Sequence, residues 1–243
     1  MRIFLLDIAR GVCVLAMIAY HFCWDLGYFG FIDLRTITQG LGLFIAQLIG
    51  LSFITIAGIS SRILTLSDNF KKKFLKRFFK LIFISAVISV ATFMLNENSF
   101  IFFGIIHFLS VCSIISLVLI HIKHGFHFLL IFFGAAIIST SGITLNLPFF
   151  LSWLGLSKEI PVTNDFYPLF PWITFYFFGF WFGKILYEKL NQKDGSSLMP
   201  NNEINIFFKF FEYMGQKALV IYILHQPILF SLFFVFIKVA SGD

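Results

Sequence analysis

The sequence predicts an all-α fold, a polytopic helical membrane bundle of about seven transmembrane helices with a cytoplasmic N-terminus. Three observations carry this reading. Apolar residues make up 59% of the 243 and charged residues only 12%, against about 45–50% and 25% in an ordinary soluble domain, and the mean hydropathy is +0.92. The apolar residues fall in runs of about 17–25, the length that crosses hydrocarbon. The basic residues gather at alternate ends of those runs.

Taken in order, the expected spans are 8–29, 40–64, 78–95, 100–122, 126–145, 168–187 and 218–239. Lipid offers no hydrogen bonds, so each must satisfy its own backbone, and each is therefore read as a helix. With the N-terminus inside, Arg2, Arg10, Arg62, Lys71, Lys72, Lys73, Lys76, Arg77, Lys80, Lys123, Lys184, Lys189, Lys193, Lys209 and Lys217 fall on the inner side. Only Arg35, Lys158 and Lys238 fall outside, the asymmetry the positive-inside rule describes. Residues 148–156 are apolar but too short to cross, which suits an interfacial or re-entrant piece. Residues 204–214 set four phenylalanines among Lys209 and Glu212, the pattern of a helix lying at the inner surface. No internal repeat is visible. The linker-like stretch 192–202 is too short to divide domains, so residues 1–243 read as one.

The net charge of +6 does not point to nucleic acid, because the cations mark span ends rather than one face with interleaved aromatics. Cys13, Cys23 and Cys112 lie within apolar runs without metal-ligand spacing and read as small buried hydrophobes. No cleavable leader is read, since the first apolar run contains Asp7, Arg10, His21 and Asp25. His121, His124 and His127 flank Lys123 in an inner loop and read as a solvated basic turn; no metal site is expected. A phosphate-cradling glycine loop, a GxSxG elbow and a zinc motif are all missing from the sequence.

Ionisable groups inside a span cost about 2.5–3.5 kcal/mol each on insertion scales, so they need partners or water and often mark function. The first span concentrates them. From Arg10 to His21 is three helical turns plus about 20°, which puts both on one face roughly 16 Å apart along the axis. Asp7 and Asp25 extend the stripe at steps of three and four. The stripe suits an anchor for an anionic group at the inner rim and a proton acceptor deeper in, with Asp25 placed to set the tautomer of His21. Further polar groups follow: His107 near the outer end of the fourth span, Asp165 before Trp172 at the mouth of the sixth, and Tyr222, His225 and Gln226 on one face of the seventh. Pro227 beside them can kink that helix. Snorkelling for Arg10 and interhelical hydrogen bonding for the others are the competing readings.

The residues LDIARG at 6–11, running on to Met17 and His21, resemble the opening motif of the heparan-α-glucosaminide N-acetyltransferase catalytic-domain family, among the transmembrane acyltransferases. Four more segments follow in that family's order: FITIAG at 53–58, GIIHFL at 104–109, DFYPLFPW at 165–172 and YILHQP at 222–227. The resemblance spans nearly the whole chain. It implies a single acyltransferase-like domain that moves an acetyl group from cytoplasmic acetyl-CoA to an amino-sugar or other carbohydrate acceptor on the outer side. Carried over by position, it makes His21 the catalytic base or acetyl acceptor and Arg10 a holder of the coenzyme; Asp25 joins His21 in catalysis on the spacing above, and His107 and Trp172 are expected at the coenzyme. Asp165, Tyr222, His225 and Gln226 go to the substrate pocket. His21 acts either as base for direct transfer or through an acetyl-histidine intermediate. The chain is shorter than the lysosomal members and shows no luminal domain before the first span, which leaves the acceptor open.

The partners this implies are the lipid bilayer of a cell (inner) membrane and a carbohydrate, with a homodimer left open. Two other classes stay in view: a small-solute or proton-coupled transporter, and an inactive membrane scaffold. Transporters often show related halves and broken helices, and no duplication is visible here.

Overall fold

The computed structural model describes residues 3–120, 131, 133–134, 137, 141–142, 144–192 and 205–241. Among the described residues there is no strand; two isolated bridges, Phe103–Phe166 and Leu145–Ser157, are the extended pairings. The helices are α1 (Phe4–Tyr28), α2 (Leu34–Thr38), α3 (Gly40–Thr65), α4 (Phe70–Leu95), α5 (Ile105–Leu119), α6 (Leu169–Gln192), α7 (Ile206–Gln216) and α8 (Ala218–Ser241), with a 3₁₀ helix at Phe149–Leu154. Five of them, α1, α3, α4, α6 and α8, are long and apolar enough to cross a membrane, and α5 is a shorter apolar helix. Most of the fifth expected span, 126–145, the histidine-flanked loop with His121, His124 and His127, and linker residues 193–202 lie outside the described residues.

Where boundaries differ from expectation, the cause is local. Helix α4 begins eight residues before the apolar run, because Lys71, Lys72, Lys73, Lys76 and Lys80 are good helix formers whose charged ends can stay in water. Helix α5 starts at Ile105 rather than 100, since the preceding residues are extended and paired: the Tyr167 amide donates to the Phe103 carbonyl at 3.2 Å and the Thr163 hydroxyl to that of Phe100 at 2.7 Å. In α6, Phe170 is non-helical at φ −96° and ψ 133°, the conformation imposed on a residue preceding proline.

The chain packs as two compact units, residues 54–194 and residues 2–53 with 195–243; α3 belongs to the second as far as Phe53 and to the first from Ile54. In the unit containing the termini, α7 lies against α1. A Cβ at Gly11 would run into the Phe211 carbonyl, and one at Gly215 into that of Asp7, so both glycines are there to let two backbones touch. Val14, Met214 and Ala218 close that contact with Ile18, Phe53 and Ile221. Helix α8 meets α1 through rings, Phe29 stacking on Phe233 at 5.4 Å and Phe22 lying 5.3 Å from Phe233.

In the other unit α3 and α6 approach in the same manner. Gly58 faces the Tyr176 backbone, and Gly179 and Gly183 face the carbonyls of Thr55 and Ile59. The core beside them is Ile54, Phe108, Cys112, Tyr176, Phe177 and Phe180, all fully buried. The expected interfacial piece is the 3₁₀ helix, with Ser152 buried and Phe149 and Phe150 exposed. All three cysteines are free thiols.

The outer surfaces of the long helices are greasy: Phe83 is 69% exposed, Met94 81% and Phe234 63%. Apolar patches on that scale are not kept in water. The protein is a multi-pass membrane protein.

Replacing Gly11 with Leu forces the α1 and α7 backbones apart. The expected loss is about 1–3 kcal/mol, the usual cost of overpacking, read as a lower thermal midpoint of the detergent-purified protein. Val12→Leu, on the exposed face one residue away, leaves the midpoint unchanged; equal behaviour of the two variants sinks this account of the contact.

Candidate active site

In the unit containing the termini, α1 carries Arg10, His21 and Asp25 along one continuous helix, and α8 brings Tyr222, His225 and Gln226 against it. The His21 and His225 rings meet edge to face, with centroids 4.8 Å apart and planes at 60°. His225 Nδ1 lies 2.7 Å from the Tyr222 carbonyl. A carbonyl only accepts, so Nδ1 carries the proton of the neutral ring and Nε2 holds the lone pair. Asp25 is completely buried, and its Oδ1 accepts a 2.7 Å hydrogen bond from Gln226 Nε2.

The spacing suggested Asp25 as the orienting partner of His21. Its hydrogen bond goes to Gln226 on α8 instead, because the docking of α8 on α1 brings that amide within 2.7 Å of the carboxylate. His21 finds its neighbour in His225. Three buried atoms of this group have no hydrogen-bond partner among the described residues: Asp25 Oδ2, Gln226 Oε1 and His225 Nε2. Leaving such atoms unpaired costs about 1–3 kcal/mol each, and groups of this kind are kept where substrate or proton transfer makes use of them. A carboxylate, an amide oxygen and a lone-pair nitrogen together accept hydrogen bonds from a hydroxyl or an amine.

Towards the amino end of α1, Arg10 is held from two sides. Its Nη1 donates to Asp7 Oδ1 at 2.6 Å and reaches the Gly215 carbonyl at 3.4 Å. That carbonyl belongs to the last turn of α7, where the helix dipole presents negative charge. Arg10 therefore anchors α7 to α1 as well as standing at the rim; the side chain remains 23% exposed.

The other unit holds His107, Asp165 and Trp172. The Gly104 amide donates to His107 Nδ1 at 3.2 Å, so the ring proton sits on Nε2, 3.0 Å from the Ser89 hydroxyl, which itself donates to the Ile101 carbonyl at 2.7 Å. Both ring nitrogens are thus engaged. Asp165 Oδ2 accepts from the Ile105 amide at 3.1 Å, satisfying one of the open donors at the amino end of α5. It comes so close that a Cβ on Gly104 would strike its carboxylate. His107 and Asp165 are joined through the start of one helix, the interhelical role weighed above. Trp172 packs edge-on to Tyr167 with centroids 5.0 Å apart.

Residues 2–227 match the family described as heparan-alpha-glucosaminide N-acetyltransferase, catalytic. The chain belongs to this family. The match ends at Pro227, the last residue of the fifth motif, so all five segments lie within it. Neither the comparison with curated proteins nor that with solved structures gives a match. Within the family segments, packing pairs the motifs: the first with the fifth, through His21–His225 and Asp25–Gln226, and the third with the fourth, through Gly104–Asp165.

Two things escaped the sequence. The ring contact between His21 and His225 depends on how α1 and α8 are docked, although each histidine stood out alone. Arg62 was counted as a topology mark; its position inside the expected span 40–64, two residues before the end, was the available signal.

A double-mutant cycle on Asp25→Asn and Gln226→Leu should give a coupling of about 1.5–3 kcal/mol, the range for a hydrogen bond to a charged group. Thermal unfolding in detergent measures it. A coupling near zero removes the α1–α8 clasp.

Proposed function

We propose that this membrane protein transfers an acetyl group from cytoplasmic acetyl-CoA to an amino sugar or other carbohydrate acceptor on the outer side of a cell (inner) membrane, with His21 as the base. The observation that carries the reading is the pair of imidazoles, His21 and His225, beside a buried carboxylate, in a chain belonging to an acetyltransferase family.

In the proposed step a ring nitrogen of His21 takes the proton of the acceptor N–H or O–H while that atom attacks the thioester carbonyl carbon. The C–S bond breaks, the acetyl group stays on the acceptor, and the coenzyme sulfur leaves as a thiolate. That thiolate takes the proton from His21, which returns to its neutral form. A positioned base of this kind contributes about 10²–10⁴ in rate. Asp25, held by Gln226, offsets positive charge on the imidazole pair; Tyr222 fixes the tautomer of His225 through its carbonyl. Arg10 supplies positive charge at the inner rim, where the coenzyme phosphates arrive. Trp172 is assigned to the coenzyme and Gln226 Oε1 to the acceptor. His107 and Asp165 act by holding the amino end of α5 in place.

Purified protein in lipid nanodiscs, given acetyl-CoA and glucosamine, should form acetylated product. His21→Ala should lower the rate by about 10²–10⁴ with no change in thermal midpoint. Wild-type turnover by that variant takes His21 out of the mechanism. CoA exchange in the absence of acceptor would identify an acetyl-histidine route. Lack of acetyl-CoA binding by the wild type, together with solute flux in vesicles, would move the protein into the transporter class.

A further inference from the structure

The unit of residues 54–194 holds two arginines, one buried and one half-buried, that the site above does not use. Arg62 sits near the carboxyl end of α3 and is only 8% exposed. Its guanidinium lies 5.1 Å over the Phe180 ring, and its Nε is buried with no hydrogen-bond partner. Among the described residues no carboxylate comes within ion-pair distance of it. Glu188 is within electrostatic reach but is itself half-exposed and paired to Lys184 at 3.5 Å.

A second cation is drawn to the same place. Arg77, on α4, donates from Nη1 to the hydroxyl of Ser61, the residue next to Arg62, at 3.3 Å. The Tyr176 hydroxyl, fully buried on α6, donates to the same Ser61 oxygen at 2.8 Å and is also hydrogen-bonded to Ser116. Buried hydroxyls of three helices thus hold Arg77 at Ser61, one residue from Arg62 in the chain.

A guanidinium stays charged in any protein environment. A buried one without a counter-charge is strongly unfavourable. A lone structural arginine would have been given a carboxylate. The arrangement makes physical sense for a ligand that brings its own negative charge and presents several oxygens to planar forks, the geometry in which arginine binds phosphate. The charge pattern of the chain puts these ends of α3 and α4 on the cytoplasmic side.

We propose that Arg62 and Arg77 form a phosphate-binding site, which takes a phosphate ester of the acetyl donor. This rests on the acetyl-CoA reading above and adds to it the residues that hold the nucleotide end, in a part of the chain separate in sequence from His21 and Arg10. Ser61 and Tyr176 are positioning residues that hold Arg77 in place.

The test uses full-length protein in nanodiscs of phosphatidylcholine with three donors: acetyl-CoA, acetyl-dephospho-CoA and S-acetyl-pantetheine, which carries no phosphate. In Arg62→Gln and in Arg77→Gln the Kd for acetyl-CoA should rise by about 10–100-fold, the loss of one or two charge-assisted hydrogen bonds. Binding of S-acetyl-pantetheine should be unchanged, and Arg62→Lys should recover part of the loss. If both Gln variants bind acetyl-CoA as the wild type does, this site is overturned while the donor reading stands. If either variant loses S-acetyl-pantetheine equally, the role is structural and the proposal again falls. If the wild type binds none of the three donors, the donor reading fails first. Retention of phosphatidylglycerol by native mass spectrometry, present in wild type and lost in Arg62→Gln, would then assign the phosphate to a lipid headgroup. Its absence or persistence in both proteins ends the phosphate proposal altogether.

Discussion

A polar or charged group inside hydrocarbon has no water to turn to, so its partner must come from another part of the protein. Several ionisable residues are arranged by that constraint. Asp25 is clasped by Gln226, Arg10 is tied to Asp7 and to the Gly215 carbonyl, and His107 has both nitrogens engaged. These bonds decide which helices touch. Close approach then follows from glycine: Gly11, Gly58, Gly104, Gly179 and Gly215 each stand where a Cβ would collide with backbone or with a carboxylate.

The atoms that escape this rule are informative for the same reason. Asp25 Oδ2, Gln226 Oε1, His225 Nε2 and Arg62 Nε are buried and lack a partner among the described residues. The first three are acceptors grouped beside two imidazoles; the fourth is a cationic donor over the Phe180 ring. Acceptors near a base suit the arrival of a protonated nucleophile, and a cationic donor suits the arrival of an anion.

The five family motifs take on distinct physical meanings once folded. The first and fifth meet and carry the imidazole pair. The third and fourth meet at the amino end of α5, where Gly104 leaves room for Asp165 to accept from the Ile105 amide. The second contributes Gly58, which lets α3 lie on the backbone of α6. A residue of a family motif can also tie down a helix end, as His107 does by accepting from the Gly104 amide.

Membrane residence, helical class, the positions of most spans and the stripe Arg10–His21–Asp25 were all determined by the sequence alone. Each depends on local quantities: the length of an apolar run, the placement of cations at its ends, and the 3.6-residue period that sets which side chains share a face. Tertiary structure alone decided who bonds with whom. Asp25 lies one turn from His21 on paper, yet its bond goes to Gln226, and His21 is paired with a histidine some two hundred residues away. The same holds for Arg62, whose burial against Phe180 no count of charges at span ends could reveal. Periodicity fixes direction around a single helix axis, whereas partnership depends on the rotation and depth at which two helices dock. That docking is set by glycines and phenylalanines scattered along the chain.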